Sequence, residues 1–507
     1  MMHGIVTIVT PIKDAREDTV RQRLKALCDG GLPSAPLIGL HFASLSVLGK
    51  YLDAPKDFKP QLVFEASFDG PREDFIDDLV ANGSAWLDTV YRDCEGYPDR
   101  GTQLPQVVKN YLLRNDVGAD CLFIAYPYRS VAQIQQERQL RDALASLDEV
   151  ARSTLAHRNL PPPMQRSLVS RLRQQIAAIP ALRGVLTLPE RPFVVTYGPQ
   201  IADMALRTLA ALLFVGAAVL LNREVDAPVT LTAVLWLSGG AASLIAVWRP
   251  RWKKTAQILL LAAPIAIWLA QFERVARVLD AAARQVVALS VLLLWVIGGG
   301  IVVAILWLLV VQCYEWHDKE PPLPSWDPDH EHILRQREHR DAQNHLVGLN
   351  PIKSGFLKFR LLNLRLVLWT IHVTKYLEKS GFLSGISSIH FARWVIIDHG
   401  RQLLFLSHYD GDWDAYLGDF VEQASNGLTA VWSNCVGFPR AWFLFWGGAR
   451  DQRAFKAYAR RSQHETLWVY RAYPQLTVSD IENHTAIREA LGRSLDAAGL
   501  EALLRRL

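Results

Sequence analysis

QLVFEASFDG, residues 61–70, returns as QLLFLSHYDG, residues 402–411. From this pair the match runs outward without a gap over Gln61–Pro98 and Gln402–Pro439, at a constant separation of 341 residues, Gln61 to Gln402. Phe64, Asp69, Gly70, Asp78, Leu87, Cys94, Gly96 and Pro98 all have identical counterparts, and Phe68 and Phe75 are answered by Tyr409 and Tyr416. With loop lengths free to differ the match extends further. Pro11-Ile12-Lys13 answers Pro351-Ile352-Lys353, Leu40-His41-Phe42-Ala43 answers Ile389-His390-Phe391-Ala392, and Ala125-Tyr126-Pro127 answers Ala472-Tyr473-Pro474. A fixed period determines architecture before any local reading does. The chain contains one domain twice, at about residues 3–145 and 343–492.

The first copy reads strand, helix, strand, strand, helix, strand. Gly4–Ile12, Leu37–Leu48, Gln61–Phe68 and Asp120–Tyr126 have strand composition, rich in Val, Leu and Phe. Arg16–Cys28 has helical spacing, and Asp69-Gly70-Pro71 opens a helix to about Tyr91, with Glu73 and Asp74 in its first turn. An extra helix at Gln106–Leu113 precedes the last strand. This order is the ferredoxin-like split βαβ motif. Its antiparallel sheet has helices on one face only, and the second copy can cover the other. The expected fold is α+β, with two ferredoxin-like βαββαβ repeats forming an intramolecular α/β barrel and an inserted four-helix transmembrane region.

That insertion is legible in the composition. Of the 507 residues 50% are apolar and 21% charged, but the apolar ones are segregated. Residues 205–222, 228–248, 255–271 and 286–312 are runs with almost no charge, and three are long enough to cross a hydrocarbon core of about 30 Å. The third is short and also reads as a buried helix. Four crossings are expected, which leaves both copies on one side. The basic loop Arg249–Lys254 assigns that side to the cytoplasm. The chain then divides into repeat 1 (1–145), a helical linker (146–204), the membrane region (205–312), a polar juxtamembrane linker (313–342), and repeat 2 with C-terminal helices (343–507). The expected location is the inner membrane with both terminal domains cytoplasmic, and no N-terminal signal peptide is read. Phe356–Lys379, apolar but interleaved with Lys358, Arg360 and Arg365, reads either as a helix on the bilayer surface or as a core helix with basic ends.

A net charge of +5 without a Lys/Arg stripe gives no sign of nucleic-acid binding, and five cysteines without CxxC spacing indicate no disulfide framework or zinc ribbon. Cys94 and Cys435 read as small buried residues. Phosphate-loop, serine-hydrolase elbow and HExxH signatures are absent from the sequence. Three features carry candidate chemistry. Asp69 and Asp410, each at a strand end before a glycine, can act as acid or base or can cap the helix that follows. His41 and His390 on the second strands can bind haem iron or a metal, or sit hydrogen-bonded in the core. The second copy adds His408, Arg393 and Trp413 where the first has Ser67, Ser44 and Arg72, and so is the better candidate for an active copy. The run Asp327–His332, with His317, His339 and His345 nearby, reads as a metal-binding cluster or a solvated linker.

The duplicated plan resembles the dimeric α/β barrel superfamily, which includes dye-decolourising peroxidases and chlorite-dismutase-like proteins. IHFARWVII, YDGDWDAYLGDF and AVWSNCVGFPR also resemble a family of bacterial membrane proteins. Dye-decolourising peroxidases have a GxxDG motif whose aspartate acts at the distal haem face. The corresponding runs here are Ala66–Gly70 and Ser407–Gly411, without the leading glycine. The resemblance implies haem as cofactor, Asp410 as acid/base, Arg393 and His390 assisting, and His408 or His390 toward the cofactor. The function expected on that basis is a membrane-anchored, peroxidase-like oxidoreductase. The alternative is a non-catalytic membrane module that binds an apolar ligand or lipid, or recruits a partner protein. The lipid bilayer is a partner in both.

Overall fold

Two strands, β2 (Leu40–Leu48) and β6 (Ile389–Ile397), are buried along almost their whole length, as continuous apolar strands covered on both faces must be. The computed structural model describes residues 3–27, 39–49, 57–99, 104–155, 162–188, 273–318, 328–338, 342–374 and 383–493, with isolated positions around 102, 201–209 and 499–506. The chain is α+β and divides into two units, one comprising residues 1–196 and 317–507 and the other residues 197–316.

In the first unit, β1 (His3–Pro11), α1 (Glu17–Leu27), β2, β3 (Gln61–Asp69), α2 (Arg72–Asn82), α3 (Ser84–Tyr91), α4 (Pro105–Asn115), β4 (Cys121–Ile124) and α5 (Val131–Leu155) follow the expected order. The helix expected through Tyr91 is two helices, parted at Gly83. α6 (Pro162–Ala178) completes the N-terminal part. In the second unit α7 (Glu273–Trp316) contains Ala288–Trp316, 29 residues with a mean hydropathy of 2.7 over its most apolar window, of which 6% is buried. It is long and apolar enough to cross a membrane. The expected spans 205–222, 228–248 and 255–271 lie outside the described residues, save isolated positions at the start of the first.

The juxtamembrane stretch contains a helix, α8 (Pro328–Glu338), where a linker is expected. Then come β5 (Gln343–Pro351), α9 (Phe359–Thr374), β6, β7 (Gln402–Asp410), α10 (Trp413–Trp432), a hairpin of β8 (Ala441–Trp442) and β9 (Trp446–Gly447), α11 (Gln452–Ser462), β10 (Gln463–His464), β11 (Thr466–Arg471) and α12 (Val478–Gly492).

β3 runs antiparallel between β1 and β2, and β7 antiparallel between β5 and β6. The registers are the same: Pro11 faces Gln61 as Pro351 faces Gln402. Each second strand has a register shift at its histidine, between Leu40 and Phe42 and between Ile389 and Phe391. The last strands are exchanged between the copies. β4 pairs with β6 of the other copy, and β11 pairs with β2. The segment ahead of β11 also pairs with β5 through β10, and the segment ahead of β4 bridges to β1 at Ile8–Asp116, so each last-strand segment seams one sheet to the other.

The faces turned toward each other pack Leu48 and Val63 against Val347, Leu349, Val395, Ile397, Leu404 and Leu406. The opposite faces are covered by α1–α4 on one sheet and by α9–α11 on the other. α5 and α12 pack together with α6 through Leu140, Leu144, Ile176, Ile487 and Leu491.

Candidate functional site

Asp69 and Asp410 end their strands one residue before Gly70 and Gly411, whose φ of 92° and 82° turn the chain out of the sheet in a conformation that favours glycine. Neither carboxylate caps the helix that follows. Asp412 caps α10, accepting from the Ala415 amide at 2.8 Å, and α2 has no side-chain cap. Instead each reaches the first amide of its copy's last helix. Asp69 Oδ2 accepts from Val131 N at 2.9 Å and Asp410 Oδ2 from Val478 N at 2.8 Å. The other carboxylate oxygen binds the bulge histidine, with His41 Nε2 3.1 Å from Asp69 and His390 Nε2 2.7 Å from Asp410.

The exchanged strands complete the arrangement. Each is followed directly by Ala-Tyr-Pro, whose tyrosine reaches the other copy: Tyr473 Oη is 2.7 Å from His41 Nδ1, Tyr126 Oη is 2.8 Å from His390 Nδ1, and the two hydroxyls are 2.9 Å apart. The result is one pseudo-symmetric buried chain, Asp69–His41–Tyr473–Tyr126–His390–Asp410. Burial holds both phenols well above their usual pKa and His41 below its own. Burial also pushes the Asp69 carboxyl up, but the His41 hydrogen bond and charge and the Val131 amide outweigh it and keep the group below its ordinary value.

Proton counting shows what this chain can do. With ionised carboxylates and neutral imidazoles and phenols, each imidazole supplies one N–H and each phenol one O–H, four protons for five links. If both histidines donate to their carboxylates and both tyrosines to Nδ1, the phenol oxygens face each other with no proton between them. One link is always empty, and a fifth proton fills them all.

Arg393 and His408 do not join Asp410. They belong to a second buried cluster between the sheets, around Glu65. Arg393 Nε lies 3.1 Å, His408 Nε2 2.9 Å and His345 Nε2 2.5 Å from its carboxylate, and Ser44 Oγ donates at 3.0 Å. Arg393 also donates to Val6 O at 2.8 Å and Ser67 Oγ at 2.6 Å, which ties the two sheets together. Burial pushes Glu65 up, but Arg393 and the two imidazoles outweigh it and hold it well below the carboxylate range. Burial, with His345 beside it, takes His408 down to about 3. The Phe42 ring separates the clusters, with centroids 5.2 Å from His390 and 4.6 Å from His408.

Haem does not fit the residues expected to hold it. An axial ligand needs a free ring nitrogen and an open side, but both His390 nitrogens are bonded and its ring is fully buried. His408 has an unpartnered Nδ1 but no open side: it is buried, its Nε2 is held at Glu65, and its ring is flanked by Phe42 and by His345, the latter with centroids 4.3 Å apart. A cavity of about 30 Å³ beside α10 and α11, lined by Leu346, Phe405, Phe420 and Trp432 among others, has room for a water or two.

Among the described residues, two triads bring possible metal-ligand atoms within 4.8 Å of one another, His3–His41–Asp69 and Glu65–His345–His408. In the second, Arg393 already balances Glu65, and a divalent ion would leave two uncompensated positive charges in a dry interior. In the first, His3 Nε2 is 2.8 Å from Arg129 O, and burial, with His41 nearby, takes it to about 4. Among the described residues the juxtamembrane histidines do not converge; Asp327 and His339 lie outside those residues. His330 bonds Gln463 O at 2.9 Å, His332 meets Gln336 at 2.8 Å, and His345 sits on β5 opposite His408.

Sequence reasoning missed Tyr126, Tyr473 and Glu65 as site residues, and grouped His345 with the juxtamembrane histidines rather than with Glu65. The twinned Ala-Tyr-Pro was a usable signal for the tyrosines. Glu65, whose twin is Leu406, stands out as an acid in an apolar strand. No family model, no curated protein and no solved structure matches the chain.

Proposed function

We propose that the protein is a non-catalytic, membrane-anchored module: two ferredoxin-like repeats closed into an intramolecular α/β barrel, held at the cytoplasmic face of the inner membrane by the apolar middle of the chain as four spans. The seams at β4 and β11 support the barrel reading. The observation that carries the function is the state of His390 and Asp410, the pair on which peroxidase chemistry would turn. Every ring nitrogen of His390 and both oxygens of Asp410 are engaged, and the histidine is sealed from solvent. The polar chain is a latch between the copies, and the packed interior directs binding of a lipid or partner protein to the outer surface.

The test is the visible spectrum of the detergent-purified chain expressed with haem precursor. The expected result is no Soret band and no peroxide-dependent dye turnover above that of free haem. A stoichiometric Soret band lost in His390→Ala or His408→Ala would overturn the reading and restore the oxidoreductase.

A further inference from the structure

We infer that α9 and the β8–β9 hairpin form a face that docks on the bilayer surface, an inference that rests on Ala288–Trp316 being a membrane span. One side of α9 is core: Leu364 and Leu368 are fully buried over the second sheet. The other side repeats Leu362, Leu366, Trp369 and Val373 at helical spacing, and all four are exposed, Trp369 at 62%. The turn ahead of the helix presents Phe356 at 77% and Leu357 at 81% exposure. Leu357 and Lys358 there take φ of 52° and 53°, a region that bulky residues enter only under strain and that a solvated turn fills with glycine or asparagine. The hairpin repeats the pattern, with exposed Trp442, Phe445 and Trp446 around a tip where Phe443 and Leu444 have φ of 48° and 69°.

Both features sit at the C-terminal end of α10. Lys353 Nζ donates to Ser433 O at 2.8 Å and Asn363 to Asn434 at 3.0 Å beside α9, while Thr429 Oγ1 lies 3.5 Å from Gly447 O in the hairpin. Exposed apolar area gathered in this way marks an interaction surface. Asp318 identifies the occupant. It lies two residues past Trp316, a reach of about 7 Å, and accepts from Arg360 Nη2 at 2.8 Å and Lys353 Nζ at 2.7 Å. The first turn of α9 is therefore tied to the chain where it leaves the span, at headgroup level. Exposed Lys358 and Arg365 supply the cations that anionic headgroups attract, and tryptophans are the residues that settle at this depth.

The experiment uses the full chain with Cys28→Ser and Cys313→Ser, Cys94, Cys121 and Cys435 being buried, reconstituted in nanodiscs of phosphatidylcholine and phosphatidylglycerol. A single fluorophore is placed at Leu366→Cys, Trp369→Cys or, at the middle of the span, Val302→Cys. Lipids carrying a spin label near the headgroup or deep in the acyl chain then report depth by quenching. The expected result is at least twofold quenching at 366 and 369 by the shallow label only, reduced when phosphatidylglycerol is omitted, with the deep label quenching at 302. Quenching at 302 with none at 366 or 369 overturns the docking face and leaves the anchor standing. No quenching at 302 overturns the span and the docking geometry with it. Leu362→Asp in the 369-labelled chain, an exposed change that spares the core, should abolish the shallow quenching, and unaltered quenching there also refutes the proposal.

Discussion

Asp410→Asn tests the proton count directly. In the wild type four protons serve five links. The amide that this change introduces can donate to His390 Nε2 while its oxygen still accepts from Val478 N. His390 then donates from Nδ1 to Tyr126, Tyr126 donates to Tyr473, Tyr473 to His41, and His41 to Asp69, so all five links are filled. The change gives up two charge-assisted bonds, at 2.7 and 2.8 Å, for neutral ones, a loss of about 2 kcal/mol. Filling the empty link in a buried site returns about 1–3 kcal/mol, so the single variant should lie within about 1 kcal/mol of wild type. Asp69→Asn should behave alike by pseudo-symmetry. With both changed, six protons meet five links, one donor is stranded, and the charge-assisted bonds are lost at both ends. The double variant should then be destabilised by about 4 kcal/mol, with a coupling of about 2–6 kcal/mol, against the few tenths expected of independent sites. Urea unfolding of the purified chain, followed by near-ultraviolet circular dichroism across the four-member cycle, measures it. Two single losses of about 2 kcal/mol that simply add would refute the counting.

Four further outcomes are expected. Tyr126→Phe strands His390 Nδ1 and should cost about 1–3 kcal/mol, read in the same unfolding assay. Glu65→Gln leaves Arg393 buried without its counter-charge and should cost about 3–5 kcal/mol, whereas Glu65→Leu with Arg393→Leu should recover most of the loss, as thermal unfolding would show. The folded-state pKa values of Glu65 and Asp69 lie below their unfolded values, so their contribution is complete above about pH 5 and is lost as pH falls through the unfolded value and below. His408, lowered to about 3, adds a loss that begins nearer pH 6.5, and the midpoint of urea unfolding should decline from there downward. Asp318→Asn weakens the partners of buried Arg360 and of Lys353, and should loosen α9 first, visible as faster amide exchange in residues 359–374 than in β5–β7.

The duplication, the order of strands and helices within each copy and the apolar middle were legible from sequence, because each is a one-dimensional pattern. Periodicity, turn residues and repeated strings survive without knowledge of what lies across the chain. The twinned Asp-Gly and His-Phe-Ala strings also pointed to Asp410 and His390, which the fold brings to 2.7 Å. Sequence could not show that β4 and β11 change places. A strand's composition reports that it is buried and extended, and two edges of similar register and hydrophobicity offer it the same backbone partners. That exchange delivers Tyr126 to His390 and Tyr473 to His41, and it makes one latch out of what reads as two separate carboxylate–histidine pairs. Glu65 and Arg393 are likewise 328 positions apart, and only the facing of the two sheets makes them an ion pair. Sequence alone showed that residues 61–98 return at 402–439 on either side of an apolar middle. Tertiary structure decided which groups neutralise one another, because charge compensation and hydrogen bonding depend on distance in space, and the closest partners come from opposite halves of the chain.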